Sequence, residues 1–406
     1  MEKSYKGVVV RFLRDEERGQ RTQEKETPLV IEPLVSKDQK FLKEFLSSHS
    51  EQLMKDISKY GAILLRGFDM ETPSEFENTV TSIKGIKAFN EILWVEPGRD
   101  LVEGTKSVFH TNTQRRTGGD TAFGGFHCEN YEHPDVPRFI CFYCIQPTNF
   151  GGETGVVNIA KLYPELPEKL RRKFEERNYL VVQKDLSDWS KESGLSVEDL
   201  EQFCVAAKLG IVVQDGKKNV TMFKPPVYEH PTTHEKALVI NYFNSCSWRK
   251  VFYPRLLRSF FTDYIGLKWV RHHVMWYLNR QDRIAVRLKY FFQELRNKSE
   301  PPKEVDIRVG SLFNDQDVKI MAPLLRKYYS AFLWKSGDVF IIDNLKLAHA
   351  GMPGGDAQRE LRALFCNRIG GIPYTKQASG VFSPRNEASE SLGSEFNKMK
   401  MKKRAA

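Results

Sequence analysis

The run RFICFYCI at residues 138–145 is the feature that most restricts the folds open to this chain. After its first residue the run is entirely apolar, and its aromatic and β-branched side chains favour a strand. A strand of this composition is poorly suited to a sheet edge, because both of its faces need to be buried. The sequence therefore predicts a sheet that is covered on both sides.

Strand-like runs recur along the chain, and helical patterns lie between them at 38–59, 73–83, 160–177 and 197–210. No glycine-rich dinucleotide fingerprint opens a helix, and no phosphate-binding P-loop is present. This order predicts a mainly β fold, a β-barrel or jelly roll with flanking helices, rather than a repeated βαβ sheet. The strand-like runs are GAILLRGF (61–68), RFICFYCI (138–145), KALVINYF (236–243), SAFLWKSGDVFIIDN (330–344) and RELRALFCNRI (359–369).

The composition of the 406 residues, 40% hydrophobic and 28% charged, is ordinary for a globular protein. No uncharged apolar run approaches the roughly 18 residues of a membrane span, and the first twenty residues lack the form of a secretory signal. The six cysteines show no disulfide-like spacing. Together these features predict a cytoplasmic protein in a reducing compartment.

The net charge of +10 is concentrated in two segments. Residues 251–300 carry ten Lys or Arg side chains against four acids, and residues 398–404 read KMKMKKR. We expect one elaborated domain over 1–372 that contains a helical basic insertion at 251–305, followed by a polar and then basic mobile tail at 373–406. A basic surface can attract acidic partners, although a solvated helix face and a frayed end would have the same composition.

A candidate metal site begins in FHCENYEHPDVP, where His127 and Glu129 stand two residues apart. In a strand, side chains at i and i+2 point to the same face, so these two would converge while Cys128 points away. A third candidate ligand, His349, follows a strong strand and precedes a glycine-rich loop. Two histidines and one carboxylate form the facial triad of non-haem iron(II) oxygenases, which leaves three coordination positions open.

A candidate carboxylate-binding site follows in RELRALF, where Arg362 lies thirteen residues after His349. A guanidinium can hold a carboxylate through two parallel hydrogen bonds, which a lysine cannot reproduce. Arg359 would face the other side of the strand, and Arg362 is preferred because its strand-mates Leu364 and Cys366 suit an interior position. In the glycine turn GGET, Thr154 can offer its hydroxyl to the same carboxylate.

These blocks, in this order, resemble the TauD/TfdA family of iron(II)/2-oxoglutarate-dependent dioxygenases. The resemblance covers roughly residues 60–372 and implies a double-stranded β-helix, that is, a cupin-like jelly-roll core. The glutamate in His-x-Glu is most similar to the clavaminate-synthase-like and amino-acid hydroxylase members. Residues 251–305 are longer and more basic than the corresponding family connection, and the tail after 372 has no counterpart.

The resemblance implies specific roles for the motif residues. His127, Glu129 and His349 would hold Fe(II), while Arg362 would bind the distal carboxylate of 2-oxoglutarate with help from Thr154. The enzyme would consume O2, release succinate and CO2, and hydroxylate an unactivated C–H bond. Related halogenases replace the carboxylate ligand by a small residue, so the presence of Glu129 favours hydroxylation, desaturation or epoxidation over halogenation.

The substrate is expected to be an amino acid or a related small carboxylate. Asn130, Tyr131, Arg115 and Arg116 flank the metal motif and are candidate substrate contacts, although loop hydrogen bonds would explain them as well. A substrate tethered to an acidic carrier protein is a second option, since the basic segment at 251–300 could meet such a carrier.

Two other classes of protein remain open at this stage. A nucleic-acid-binding protein would use the basic, aromatic segment at 251–300, but at helical spacing most of those aromatic side chains suit a core. A catalytically silent barrel that acts as a scaffold would not need the complete ligand set.

Overall fold

The structure is a computed structural model. It describes residues 5–18, 21–94, 99–111, 125–148, 151–176, 178–214, 216–239, 315–352, 359–372, 374, 380–386 and 390–405, with single helical positions at 267, 270, 274, 288 and 292. The expected basic insertion at 251–305 lies outside the described residues apart from those five positions, so its boundaries stay a prediction.

The strands agree with the apolar runs of the sequence, and RFICFYCI forms the centre of a long buried strand. In chain order they are β1 (Val8–Phe12), β2 (Leu29–Pro33), β3 (Ala62–Leu65), β4 (Val108–His110), β5 (Val136–Gln146), β6 (Thr154–Asn158), β7 (Tyr179–Asp185), β8 (Gly210–Gln214), β9 (Lys217–Lys224), β10 (Val227–Glu229), β11 (Lys236–Leu238), β12 (Tyr329–Phe332), β13 (Val339–Asp343), β14 (Leu347–Gly351), β15 (Glu360–Gly370) and β16 (Arg385–Asn386).

The helices lie mostly where helical periodicity was found. They are α1 (Asp15–Arg18), α2 (Gln39–Ser48), α3 (Ser50–Tyr60), α4 (Pro73–Val80), α5 (Ile159–Leu162), α6 (Glu168–Glu175), α7 (Leu186–Ser193), α8 (Val197–Ala206), α9 (Asp315–Lys327) and α10 (Leu392–Ala405). Across the described ranges, every helix is too short or too polar to span a lipid bilayer.

Local signals fix the ends of several helices. The Asp38 side chain accepts a hydrogen bond from the backbone N–H of Phe41 at 2.7 Å and begins α2. Thr72 and Glu75 form a capping box that begins α4. Helix α3 ends at Gly61, whose φ of +80° suits glycine, and an added Cβ there would lie 2.7 Å from Leu347. This turn leads the chain directly into β3.

Two sheets form the core and face each other. The larger has the order β1-β2-β3-β13-β5-β15-β16, with β4 also paired to β15, and the smaller has the order β12-β6-β14. One cluster of buried side chains joins them, with Phe142, Phe340 and Phe365 from the larger sheet and Val156 and Phe332 from the smaller. This arrangement confirms the jelly-roll core predicted from the sequence.

Helices cover the outer faces of both sheets. Leu42, Ile57 and Phe76, from α2, α3 and α4, pack with the outward side chains of the larger sheet, such as Leu364 and Cys366. A second outer cluster covers the smaller sheet and contains side chains from α5, α6 and α9. The flanking helices therefore bury the sheet faces that the apolar runs required to be covered.

A third sheet, β7-β9-β8, packs with α7, α8 and the C-terminal helix α10. Leu392 and Phe396 of α10 are buried, and the Phe396 ring stacks on Trp189 at 5.3 Å between centroids. The expectation of a mobile tail is therefore wrong for residues 390–405. The segment is polar overall, but Leu392 and Phe396 are spaced i and i+4 on the helix and face the same cluster.

Candidate metal centre

Backbone pairing brings His127 and His349 together at one edge of the smaller sheet. The N–H of His127 donates to the carbonyl of His349 at 3.0 Å, and the reverse bond is 2.9 Å. His349 also lies opposite Val156 of β6, whose side chain belongs to the cluster between the two sheets. Strand alternation consequently directs both imidazoles into the interior of the jelly roll.

Glu129 completes a three-residue group with these histidines. Its Oε2 atom lies 3.2 Å from Nε2 of His349 and 3.7 Å from Nε2 of His127. One ligand atom from each of the three residues falls within 4.8 Å of the others. The predicted convergence of side chains 127 and 129, with a third ligand from residue 349, is what the structure shows.

The surroundings set the protonation of the two imidazoles. Nδ1 of His127 lies 3.1 Å from the carbonyl oxygen of Gly125, which can only accept, so Nδ1 carries a proton and Nε2 is left to bind a metal. Burial lowers the pKa of His349 to about 4, and the nearby His127 charge acts in the same direction. Burial also opposes a charge on His127, but the bond to Glu129 outweighs it and raises that pKa.

The Glu129 carboxylate is almost fully buried, at 2% exposure. Burial alone would raise the pKa of Glu129, but the charge of Arg99 and the contacts from both histidines outweigh it and lower that pKa well below its ordinary value. Nη1 of Arg99 lies 2.7 Å from Oε1 of Glu129. Arg99 was missed in the sequence, because no spacing connects it to the motif.

Asn344 holds the backbone of Glu129 in place. Its Oδ1 accepts from the N–H of Glu129 at 2.6 Å, and its Nδ2 donates to the carbonyl of Glu129 at 3.0 Å and to that of Pro137 at 2.9 Å. Asn344 was also missed, although its place at the end of the run DVFIIDN marks it as a residue that turns the chain toward His349.

This donor set fits a divalent first-row metal. Two neutral imidazole nitrogens and one carboxylate oxygen on adjacent backbone segments are the ligands that such ions take, with iron(II) the usual ion for this facial arrangement. Phe142 packs edge-on against His349, with ring centroids 5.4 Å apart, and closes one side of the centre. The three residues predicted as ligands thus form a compact, largely buried metal-binding group.

Thr154 lies close to this centre on the same face of the smaller sheet. It stands two residues from Val156, pairs with Gly351 of β14, and is 5% exposed. The Thr154 Oγ1 atom accepts a hydrogen bond from Nε1 of Trp334 at 3.0 Å. Because this bond uses a lone pair of the oxygen, the hydroxyl proton stays available for donation to a carboxylate.

The two arginines of RELRALF face opposite sides, but the preference for Arg362 as the interior residue is wrong. Arg362 alternates with Leu364 and Cys366, whose side chains pack beneath the helices on the outer face. It forms an ion pair with Glu360. The inward side chains of β15 are those of opposite parity: Leu361, Ala363 and Phe365.

Arg359 has the parity of that inward set and reaches toward the glycine turn before β6. Its Nη1 donates to the carbonyl of Gly152 at 2.7 Å, and its Nη2 is 3.5 Å from the position of an added Cβ on Gly351. Gly351 is the strand partner of Thr154. Burial lowers the pKa of Arg359 to about 10, which still leaves the guanidinium charged at neutral pH.

The candidate substrate residues lie in different environments where the structure describes them. Tyr131 packs in the outer cluster, is 1% exposed, and donates its hydroxyl to the carbonyl of Pro225, which argues against a role in binding substrate. Asn130 adopts a φ of +52° in the turn after Glu129, and its Nδ2 is buried with no hydrogen-bond partner among the described residues. Arg115 and Arg116 lie outside the described residues.

A family model of the taurine catabolism dioxygenases, TauD and TfdA, matches residues 28–248. This match spans more than half of the chain and includes two of the three metal-binding residues. His349, Arg359 and Arg362 lie beyond its end, and His349 enters the site through the strand pairing described above.

Individual proteins are similar over most of the chain. The dapdiamide synthesis protein DdaC of Enterobacter agglomerans is 23% identical over 316 residues, which are 76% of this chain and 83% of DdaC. PvcB, an Fe, alpha-ketoglutarate dependent oxygenase from an isonitrile synthetic pathway, is 15% identical with a TM-score of 0.49, covering 93% of this chain and 97% of PvcB. A putative alpha-ketoglutarate-dependent taurine dioxygenase from Burkholderia xenovorans is 13% identical with a TM-score of 0.47, covering 96% of this chain and 98% of that protein.

Proposed function

The chain belongs to the TauD/TfdA family and is an Fe(II)/2-oxoglutarate-dependent oxygenase, and from this premise we propose that it hydroxylates an unactivated C–H bond of an amino acid or related small carboxylate. The observation that carries the proposal is the complete ligand set of His127, Glu129 and His349, with a carboxylate where a halogenase would need space for chloride. Desaturation and epoxidation need the same ligand set and remain alternative outcomes for the oxidised substrate.

When bound, iron(II) with 2-oxoglutarate and O2 supplies an oxidant strong enough to abstract hydrogen from carbon, and succinate and CO2 are released. The chain's own residues orient and enclose the reactants. His127 and His349 present Nε2 atoms from paired backbone segments, and Glu129 presents Oε2. Phe142 and the cluster between the sheets exclude water from this side of the centre.

The distal carboxylate of 2-oxoglutarate would be bound by Arg359 together with Thr154. Arg359 brings a partly buried positive charge to the turn beside Gly351, and Thr154 has a hydroxyl proton to donate. A guanidinium and a hydroxyl at one site match the two oxygens of a carboxylate. Arg362, which the sequence favoured for this role, alternates with Leu364 and Cys366 of the outer cluster, and this parity supports Arg359 in its place.

The substrate class is supported by the polar group next to the metal ligands. Asn130 follows Glu129 directly, and its buried amide can donate to a carbonyl or carboxylate oxygen. DdaC acts in the synthesis of dapdiamide, and a role in making a small metabolite is the corresponding proposal for this chain. A cytoplasmic location is part of the proposal, and the five described cysteines, all free thiols, agree with it.

The test is a screen of amino acids and small acidic metabolites for substrate-stimulated succinate release. Purified protein is supplied with iron(II), ascorbate and 2-oxoglutarate, and the product mass is recorded. A gain of one oxygen supports hydroxylation or epoxidation, whereas a loss of two hydrogens indicates desaturation. Incorporation of chloride, or no stimulation of succinate release by any compound of this class, contradicts the proposal.

A matched pair of substrates tests whether the amino acid is free or tethered. The same compound is presented free and attached to an acidic carrier protein, at low and high salt. Salt-sensitive turnover of the tethered form alone supports recognition of the carrier by the basic segment at 251–300, because screening weakens attraction between exposed charges. Equal turnover at both salt concentrations places recognition in the pocket alone.

A further inference from the structure

Glu129 presents its two carboxylate oxygens to different partners. Oε2 faces Nε2 of both His127 and His349, at 3.7 and 3.2 Å. Oε1 instead lies 2.7 Å from Nη1 of Arg99. A divalent ion shared with the two imidazoles would therefore meet one carboxylate oxygen, because the other is held by a guanidinium.

The position of Arg99 is itself supported by the barrel wall. Its guanidinium carbon lies 5.5 Å from the centroid of the Phe365 ring, within the range of a cation–π interaction. Phe365 is fully buried in the cluster between the two sheets. Because a planar guanidinium can pair with a carboxylate and stack on a ring at once, this contact favours arginine over lysine at position 99.

We propose that Arg99 is a positioning residue that restricts Glu129 to coordination of the metal through a single oxygen. This inference rests on the proposed iron site and adds a residue that its motif does not contain. A carboxylate that chelated the ion with both oxygens would occupy one more coordination position. Holding Oε1 away keeps three positions open, which the cosubstrate and O2 require.

The charge of Arg99 acts in two opposing ways. In the metal-free protein it offsets the cost of burying the Glu129 carboxylate. Once a divalent cation is bound, the same positive charge repels it across a short distance. Removing the charge should therefore strengthen metal binding while it impairs turnover, and a residue that only supported the fold would weaken both.

The experiment compares the wild-type protein with Arg99→Gln and Arg99→Lys in titrations with Co(II), followed by visible absorption. We expect the dissociation constant of Arg99→Gln for Co(II) to fall on the order of tenfold, and its absorption bands to shift as the second carboxylate oxygen enters coordination. Its kcat for succinate formation should fall with iron(II) saturating. Arg99→Lys keeps the charge but not the planar geometry, so its dissociation constant for Co(II) and its kcat should lie between those of the wild type and Arg99→Gln.

The outcomes separate this inference from the proposed function. If the wild-type protein binds no Co(II), the metal site itself is wrong. If the wild type binds Co(II) and both variants share its affinity and spectrum, only the role of Arg99 is overturned. If Arg99→Gln fails to fold, the absorption spectrum of Co(II)-bound Arg99→Lys decides: a shift from the wild-type spectrum supports the role of Arg99, and an unchanged spectrum overturns it. A double variant Arg99→Gln/Glu129→Gln that folds would confirm that the two charges are paired.

Discussion

His127 and His349 are directly paired through two backbone hydrogen bonds, although they come from distant parts of the sequence. Their ring centroids are 4.4 Å apart, so the metal-binding geometry is built into strand pairing rather than into flexible side chains. A ligand carried on paired backbone is held in place before any metal binds, which favours rapid and selective binding. The jelly-roll core therefore positions the centre directly.

Replacement of His349 by alanine should remove metal binding and succinate formation together, because two remaining ligands cannot hold iron(II) under turnover conditions. Metal content after anaerobic reconstitution and succinate release are the measurements. The control is His234→Ala, since the side chain of His234 is 75% exposed, pairs with Glu229 and is not one of the three ligands. Full turnover of His349→Ala would contradict the assignment of the ligands.

Replacement of Asn344 by alanine should weaken metal binding without touching a ligand. The change leaves the buried N–H and carbonyl of Glu129 without their side-chain partner, at a cost of about 2–4 kcal/mol in the free energy of unfolding. Urea denaturation and Co(II) titration measure the two effects. Asn78→Ala, at an exposed position of α4, is the matched control. Equal stability and equal Co(II) affinity of the two variants would show that Asn344 does not hold Glu129 in place.

The metal ligands could be predicted from the sequence because the i, i+2 spacing of an imidazole and a carboxylate brings both to one side of an extended segment, although only His127 pairs with a strand and Glu129 stands in the turn that follows. The inward face of β15 could not be predicted in this way. Leu361, Ala363 and Phe365 on one side are as apolar as Leu364 and Cys366 on the other. When both faces of a strand are buried, alternation separates them but does not say which one is the barrel interior.

The arginine choice gives a direct comparison between two neighbouring residues. Arg359→Gln should raise the KM for 2-oxoglutarate by about 100-fold, since it removes a charge-assisted pair of hydrogen bonds to a buried carboxylate. Arg362→Gln, the control, should leave that KM within a few-fold of the wild type. Steady-state kinetics with varied 2-oxoglutarate gives both values, and the opposite ranking would restore Arg362 as the binding residue.

Glu17 links the helix α1 to the sheet and should contribute to stability in a pH-dependent way. Burial alone would raise its pKa, but hydrogen bonds from Arg11, Arg14 and Arg66 outweigh burial and lower it from 4.5 to about 2. A lowered pKa in the folded state stabilises the protein above pH 4.5, and this contribution disappears as the pH falls toward 2.

Glu17→Gln should therefore lower the free energy of unfolding by about 3 kcal/mol at pH 7 and by much less near pH 2. Urea denaturation of both proteins at a series of pH values measures the difference, and the comparison cancels carboxylates common to both. Glu16→Gln, at an exposed neighbouring position, is the control. A difference that does not change with pH would show that packing, not charge, explains the effect.

The C-terminal helix α10 should contribute to stability despite its polar composition. Asp135 accepts hydrogen bonds from the backbone N–H groups of Leu392, at 2.8 Å, and Leu93, at 3.1 Å, so it joins the start of this helix to the segment that leads toward Arg99.

Phe396→Ala removes a ring that packs on Trp189 and Phe203, at an expected cost of about 3–4 kcal/mol in the free energy of unfolding. Met401→Ala, on the same helix and 71% exposed, should change stability little. Thermal denaturation of the two variants measures this difference in stability. Equal midpoints would show that packing of the Phe396 ring does not stabilise the protein.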